Sequence, residues 1–173
     1  MYLKCVYTLD EERFMVGKVY EVLDGLRVLC DDETYYEVDS EDEIAHCINR
    51  SDDGRYCRGS TSFVEYRDTP PTEPAVMYMA PKRPDVYNSG TDVQYGDIVP
   101  IYYSEDRRRC FFVNGDGYVR YCDSDSNAAS IRHVLESNGG YWINGTLFVE
   151  AEPPVPIDPN FDFTAEFSKL ISL

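Results

Sequence analysis

Eight carboxylates stand between positions 31 and 43, at Asp31, Asp32, Glu33, Glu37, Asp39, Glu41, Asp42 and Glu43, and no base interrupts them. Carboxylates held a few ångströms apart on a rigid surface attract cations and basic protein surfaces, and they can imitate a row of nucleic-acid phosphates. The opposite case is Arg107-Arg108-Arg109, the one cluster of bases in the chain. With 32 acids against 16 bases the net charge is −16, and three arginines in that field lend little affinity for phosphate. Pairing with acids of another module or subunit is the better expectation for them. The acid excess is uneven: residues 1–68 hold 17 acids and 8 bases, whereas residues 95–152 hold 9 and 5. Such a charge repels nucleic acid and anionic membrane surfaces and leaves a basic protein surface as the natural partner.

Groups that could catalyse are scarce. His46 and His133 are the only histidines and fall on equivalent positions of an internal repeat, which argues for a structural role. No nucleophile elbow, zinc-protease, phosphate-loop or dinucleotide-type glycine pattern is present. Asn114-Gly115-Asp116-Gly117 lacks the spaced acids and closing glutamate of a calcium loop and reads as a hairpin turn. Six cysteines include no CxxC pair, so no structural zinc is expected. The expectation is no enzyme, no cofactor and no metal site. The opening MYLKCVYTLD has no apolar signal core, and no apolar run approaches a membrane span. A cytoplasmic setting with free thiols follows as the expectation.

The elements that must carry these residues show a repeat. Phe63-Val64-Glu65 followed by Pro70-Pro71 returns as Phe148-Val149-Glu150 followed by Pro153-Pro154. Gly17-Lys18-Val19 and Gly96-Asp97-Ile98 each open a β-rich run. Asp24-Gly25 is a hairpin turn, and Tyr35 to Val38 alternates as a strand does. Ser40 caps a short helix over Glu41 to Asn49, with Ile44, Cys47 and Ile48 at helical spacing. Ser130 to Leu135 falls on Glu43 to Ile48, and Tyr118 to Cys122 on Tyr35 to Asp39, which sets Arg120 where Glu37 stands. Cys30, Cys47 and Cys57 align with Val113, Val134 and Trp142, as small core residues would.

The fold expected is mainly β: two tandem SH3-like or small bent-sheet modules, each with one short helix, at residues 1–68 and 95–152. Between them, residues 69–94 form a proline-rich connection whose Val76-Met77-Tyr78-Met79 insert packs across a module or adds an edge strand. Residues 153–173 are a proline spacer and an amphipathic tail helix, with Phe163, Phe167, Leu170 and Ile171 on one face. That face needs a surface to cover, either its own modules or another copy, so a homo-oligomer through the tail is one expectation.

Met15-Val16-Gly17-Lys18-Val19-Tyr20-Glu21-Val22, an Asp-Gly turn and the closing Phe63-Val64-Glu65 resemble small phage-encoded accessory proteins with SH3-like β modules. The resemblance covers residues 2–66, returns weakly over 95–152 and transfers no catalytic residue. It implies an accessory, non-structural phage protein in a bacterial host cytoplasm, where host-takeover and anti-defence roles are common. The function expected is therefore inhibition of a host or defence protein through the acidic, nucleic-acid-mimicking face of residues 31–43. Two alternatives stand beside it. One is sequestration of a small ligand, such as a signalling nucleotide, between modules near Arg107, Arg108 and Arg109. The other is a self-assembling structural or virion-associated protein.

Overall fold

A computed structural model describes residues 1–51, 53–83 and 93–155, with the side chain of Arg83 excepted. The first half runs β1 (Tyr2–Thr8), β2 (Val19–Leu23), β3 (Arg27–Leu29), β4 (Tyr35–Glu37), α1 (Glu41–Arg50), β5 (Tyr56–Arg58) and β6 (Thr61–Glu65). The second half repeats that order with β7 (Met77–Arg83), β8 (Val99–Ser104), β9 (Arg109–Val113), β10 (Val119–Tyr121), α2 (Ala128–Asn138), β11 (Tyr141–Ile143) and β12 (Thr146–Glu150). Each half makes one curled antiparallel sheet of six strands, ordered β4-β3-β2-β1-β6-β5 and β10-β9-β8-β7-β12-β11. The protein is mainly β, two like modules with one short helix each. The tail residues Phe163, Phe167, Leu170 and Ile171 lie outside the described residues.

The apolar insert in the proline-rich connection does add a strand, but not at an edge. β7 lies between β8 and β12, as β1 lies between β2 and β6. Leu3 pairs with Tyr20 and Glu65, and Met79 pairs with Val99 and Glu150 at the corresponding place. Pro81 hid the central position of this strand, because a proline gives no N–H to a ladder and reads as an edge or a connector. Its counterpart Cys5 sends that N–H to the Lys18 carbonyl. In β7 the pairing with β8 ends at Met79, so Pro81 falls beyond the rungs that would need it.

The hairpins also shift the repeat by one residue from the alignment expected. Cys30 N–H bonds the Thr34 carbonyl, and Asn114 N–H bonds the Tyr118 carbonyl; Val38 N–H bonds Leu26, and Cys122 N–H bonds Cys110. Asn114 is therefore the counterpart of Cys30, Arg120 that of Tyr36, and Tyr121 that of Glu37. A one-residue slip exchanges the two faces of a strand, so the correction changes which residues point inward. Cys57 and Trp142 do correspond, but both are exposed on outward positions and are not core residues. All six cysteines are free thiols.

A shared side-chain lock supports the duplication. Tyr56 donates its hydroxyl to Asp39 at 2.8 Å and accepts from the Asp39 N–H at 3.0 Å. Tyr141 does the same with Asp123, at 2.9 and 3.1 Å. Both bind the strand after the helix to a residue two positions past the strand before it. The helices start as their caps dictate: Ser40 accepts from the Glu43 N–H, and Asn127 forms a capping box with Ser130.

The two cores are unequal. Met79, Ile101, Phe112, Ile131 and Phe148 fill the second module from within it. The core of the first gathers Leu3, Val28, Ile44, Ile48 and Phe63 around Phe14, whose ring meets Tyr20, Tyr36 and Phe63 edge-on at 5.2–5.4 Å. It is completed by Phe111, Val119 and Tyr121 of the second. Polar contacts hold this junction. Asn49 donates to the Tyr121 carbonyl at 2.9 Å, and Arg120 to the Gly54 carbonyl at 3.1 Å. The Arg67 N–H bonds the carbonyl of Gly117, where a Cβ would stand 2.7 Å from Arg67 O, so only glycine permits the approach.

Asn144 makes the tightest of these ties. From the β11–β12 turn its amide donates to the carbonyls of Ile48, Asn49 and Ser51 at 2.8, 3.3 and 2.6 Å, capping the C-terminus of α1 across the junction. Asn144→Asp keeps the size and the left-handed backbone but turns a donor into an acceptor facing three carbonyls. We expect a loss of about 2–4 kcal/mol in urea unfolding, against about 1 kcal/mol for Asn144→Gly. Equal losses would show that the cap contributes nothing specific.

Candidate functional site

The acidic stretch does not form a single unpaired face. Asp31 binds Lys18 and accepts from the Tyr20 hydroxyl at 2.9 Å. Asp32 closes an Asx turn, accepting from the Thr34 hydroxyl at 2.6 Å and N–H at 3.0 Å, with Arg13 at 3.5 Å. Asp39 holds Arg58 at 2.7 Å as well as Tyr56. Glu41 receives the Met1 ammonium at 2.9 Å and Arg107 at 3.2 Å. The Lys18 hydrogen bond lowers the Asp31 pKa, and the Thr34 hydrogen bonds lower that of Asp32. Burial pushes Glu41 upward, but the ammonium and Arg107 outweigh it and hold it below the usual range.

Glu33, Glu37, Asp42 and Glu43 are all exposed and have no ion pair among the described residues. They lie along the hairpin and edge strand β4 and on the first turn of α1. There the two helical acids also favour the positive helix end. Around them the surface is partly apolar: Tyr35 is 57 % exposed, and Leu29 pairs opposite it. No cluster of three or more histidine, cysteine or acid side chains among the described residues has the arrangement to hold a metal ion.

The three arginines separate. They sit on a β8–β9 hairpin longer than its counterpart at Asp24–Leu26, and that extension carries Arg107 back to the first module. Arg107 donates to Glu65 at 2.8 Å and is only 12 % exposed. Arg108 faces solvent beside Asp125 at 3.3 Å. Arg109 is buried against the Tyr121 ring and donates to Ser124 at 3.2 Å.

Glu65 is a residue that sequence alone does not single out. It closes the repeated Phe-Val-Glu phrase, yet it is buried and its twin Glu150 is exposed. Tyr121 donates to it at 2.6 Å beside Arg107. Burial raises its pKa to about 7, against the pull of Arg107, Arg67 and the N-terminal ammonium. The available signal was the pairing of facts: an acid at an inward position of β6, and arginines in a hairpin that the first copy lacks. A cleft of about 820 Å³ opens beside this network, walled by Tyr2, Val19, Glu21 and the connector from Tyr66 to Glu73. The connector has a second hollow of about 420 Å³ on its other side, against the turn Asn114–Gly117.

The histidines sit at equivalent helix positions, His46 half-buried and His133 exposed. Burial raises the thiol pKa of Cys5, Cys30 and Cys122, and that of Cys110 to about 11, which keeps these sulfurs protonated and unreactive. No described helix is long and apolar enough to cross a membrane. Comparison with protein-family models, with curated proteins and with solved structures finds no match to this chain.

The Glu65 network has a pH signature. The folded chain holds the Glu65 proton up to about pH 7, the unfolded chain only to its ordinary 4.5. The native state therefore binds more protons within that window, and stability falls as pH rises through it, at a slope of at most about 1.4 kcal/mol per pH interval of one. Thermal unfolding of the wild type should lose more stability between pH 5 and 8 than Glu65→Gln loses. Parallel curves for the two proteins would remove Glu65 as the source.

Proposed function

We propose that this protein is a non-enzymatic binder that occludes a basic surface of another protein, using the open β4 edge of its first module. One observation carries the reading. Once internal pairing is subtracted, the acids of residues 31–43 left without partners lie on and beside the one edge strand whose counterpart in the other copy is covered. β10 lies under α1, whereas β4 faces solvent with Glu33, Glu37 and Tyr35.

An open edge pairs readily with an added strand, and exposed carboxylates beside it select a basic one. A partner whose basic groove serves nucleic acid fits the same surface. In this reading the modules are SH3-like, and the setting is that of a phage accessory protein acting on a host or defence protein. Four acids in the run are excluded from direct contact by their structural roles: Asp31, Asp32, Asp39 and Glu41 hold Lys18, Arg13, Arg58 and the Met1–Arg107 pair. The small-ligand alternative has a cleft to use, but the Arg107 guanidinium beside it is already engaged by Glu65 and Glu41.

The discriminating variant is Glu33→Gln/Glu37→Gln/Asp42→Asn/Glu43→Gln, which leaves every described ion pair in place. Captured from bacterial lysate on the immobilised protein, a partner should elute with rising salt. It should bind about tenfold or more weakly to the quadruple variant. A partner retained at high salt and equally by both proteins would refute the acidic-edge reading.

A further inference from the structure

β11 ends the second sheet, and among the described residues its backbone pairs only with β12. Sheet edges are normally guarded by charge, because an unpaired strand recruits other chains. The counterpart β5 is guarded: Arg55 precedes it and Arg58 ends it, in ion pairs with Asp53 and Asp39. β11 is not. From Asn138 to Phe148 the sequence contains no charged residue, in a chain that is 28 % charged. The Lys82 ammonium reaches this hairpin only to bind the Gly139 carbonyl at 3.1 Å.

The outward face here is apolar. Trp142 is 64 % exposed between the buried Tyr141 and Ile143. Leu147 lies opposite it, and Val149 and its neighbour Ala80 continue the patch, each half-buried. The first module has Cys57, Ser62 and Lys4 where Trp142, Leu147 and Ala80 stand. The backbone points the same way. The two-residue turn Asn144-Gly145 makes Ile143 and Thr146 the hydrogen-bonded pair, so Trp142 aims its N–H and C=O away from β12, at the open edge.

We propose that this patch, centred on Trp142 and free of carboxylates, is the docking surface for a second copy of this chain. Charge selects that occupant. Two molecules of net charge −16 repel, and the repulsion is least where the facing surfaces carry no carboxylate. A two-fold contact sets the patch against itself, so strand β11 meets its own copy antiparallel and the two indoles bury one another. A basic partner would find no acid here to pair with. The surface is separate from the β4 edge and does not depend on the function proposed for it. The two also respond oppositely to salt: screening strengthens contact between like-charged copies and weakens capture of a basic partner.

Sedimentation of the full chain across micromolar to submillimolar concentrations, at low and high sodium chloride, tests this directly. A dimer should form, favoured by concentration and by salt. The emission of Trp142, the only tryptophan, should shift to the blue as it does. Trp142→Lys should weaken self-association at least about tenfold with an unchanged circular dichroism spectrum, and Trp142→Ser serves if the lysine disturbs folding. The tail variant Phe163→Ser/Phe167→Ser and the four-acid β4 variant should both still dimerise. A monomer under all conditions, a dimer indifferent to Trp142, or one lost with the tail phenylalanines would each overturn the proposal.

Discussion

The first module cannot close its core alone. Phe111, Val119 and Tyr121 project from the second module's β9 and β10 into the cluster around Phe14 and Phe63, while Cys110, Phe112 and Cys122 on the opposite face serve their own module. Burial of each such side chain is worth about 1.5–3 kcal/mol, a large share of what a small module can accumulate by itself. Where that apolar contact is made, the other junction features follow. α1 lies against β10, Asn144 caps the helix from the far side, and Arg107 reaches back to Glu65 and Glu41. Glu65 is tolerated in a buried position because Arg107 and Tyr121 meet it there. An unpaired carboxylate would cost several kcal/mol at such depth.

This junction also accounts for how the two copies diverged. At the places of Phe111, Val119 and Tyr121 the first module has Arg27, Tyr35 and Glu37, all exposed, with Arg27 stacked on the Tyr35 ring at 4.7 Å. Were these apolar as well, the same head-to-tail contact could be made by another molecule's α2, and repetition of a heterologous contact yields filaments. The helices differ to match. α1 buries Ile44, Ala45 and Ile48, whereas α2 buries only Ile131 and turns Arg132 outward to Glu150. One end of the tandem is made polar and α2 at the other end buries a single residue, so neither repeats the contact made at the junction.

Much of this architecture was legible in the chain. Glycine turns, capped helices and the repeated Phe-Val-Glu phrase disclose two mainly β modules because each depends on local backbone chemistry. The central place of β7 was not legible, since Pro81 reads against it, and only the sheet shows that the missing N–H has no rung to fill. The one-residue slip in the β3–β4 hairpin comes from comparing residue types, when register is set by turn length. The acidic run divides for a different reason. Lys18, Arg13, Arg58 and Arg107 lie outside it in sequence, and they take four of its eight acids into ion pairs.

That last change alters how the charge should be weighed. Differences between duplicated copies do not all mark function: Arg107 differs from its counterpart because it fastens the modules together, and Asp31 and Asp32 fasten turns. What remains is Glu33, Glu37, Asp42 and Glu43, whose side chains the described contacts leave free. Acids in this position do nothing for the fold that a neutral residue would not do at lower electrostatic cost, except for the modest help of Asp42 and Glu43 to the helix start. They also lie beside the uncovered strand β4, where a charged flank prevents pairing with a like-charged copy and permits pairing with a basic chain. The uncharged β11 hairpin stands at the other extreme, closed to a basic partner by its lack of acids and open to its own kind. Under the two proposals the distribution of charge over two otherwise similar edges gives each a different class of partner, and neither is visible from the net charge alone.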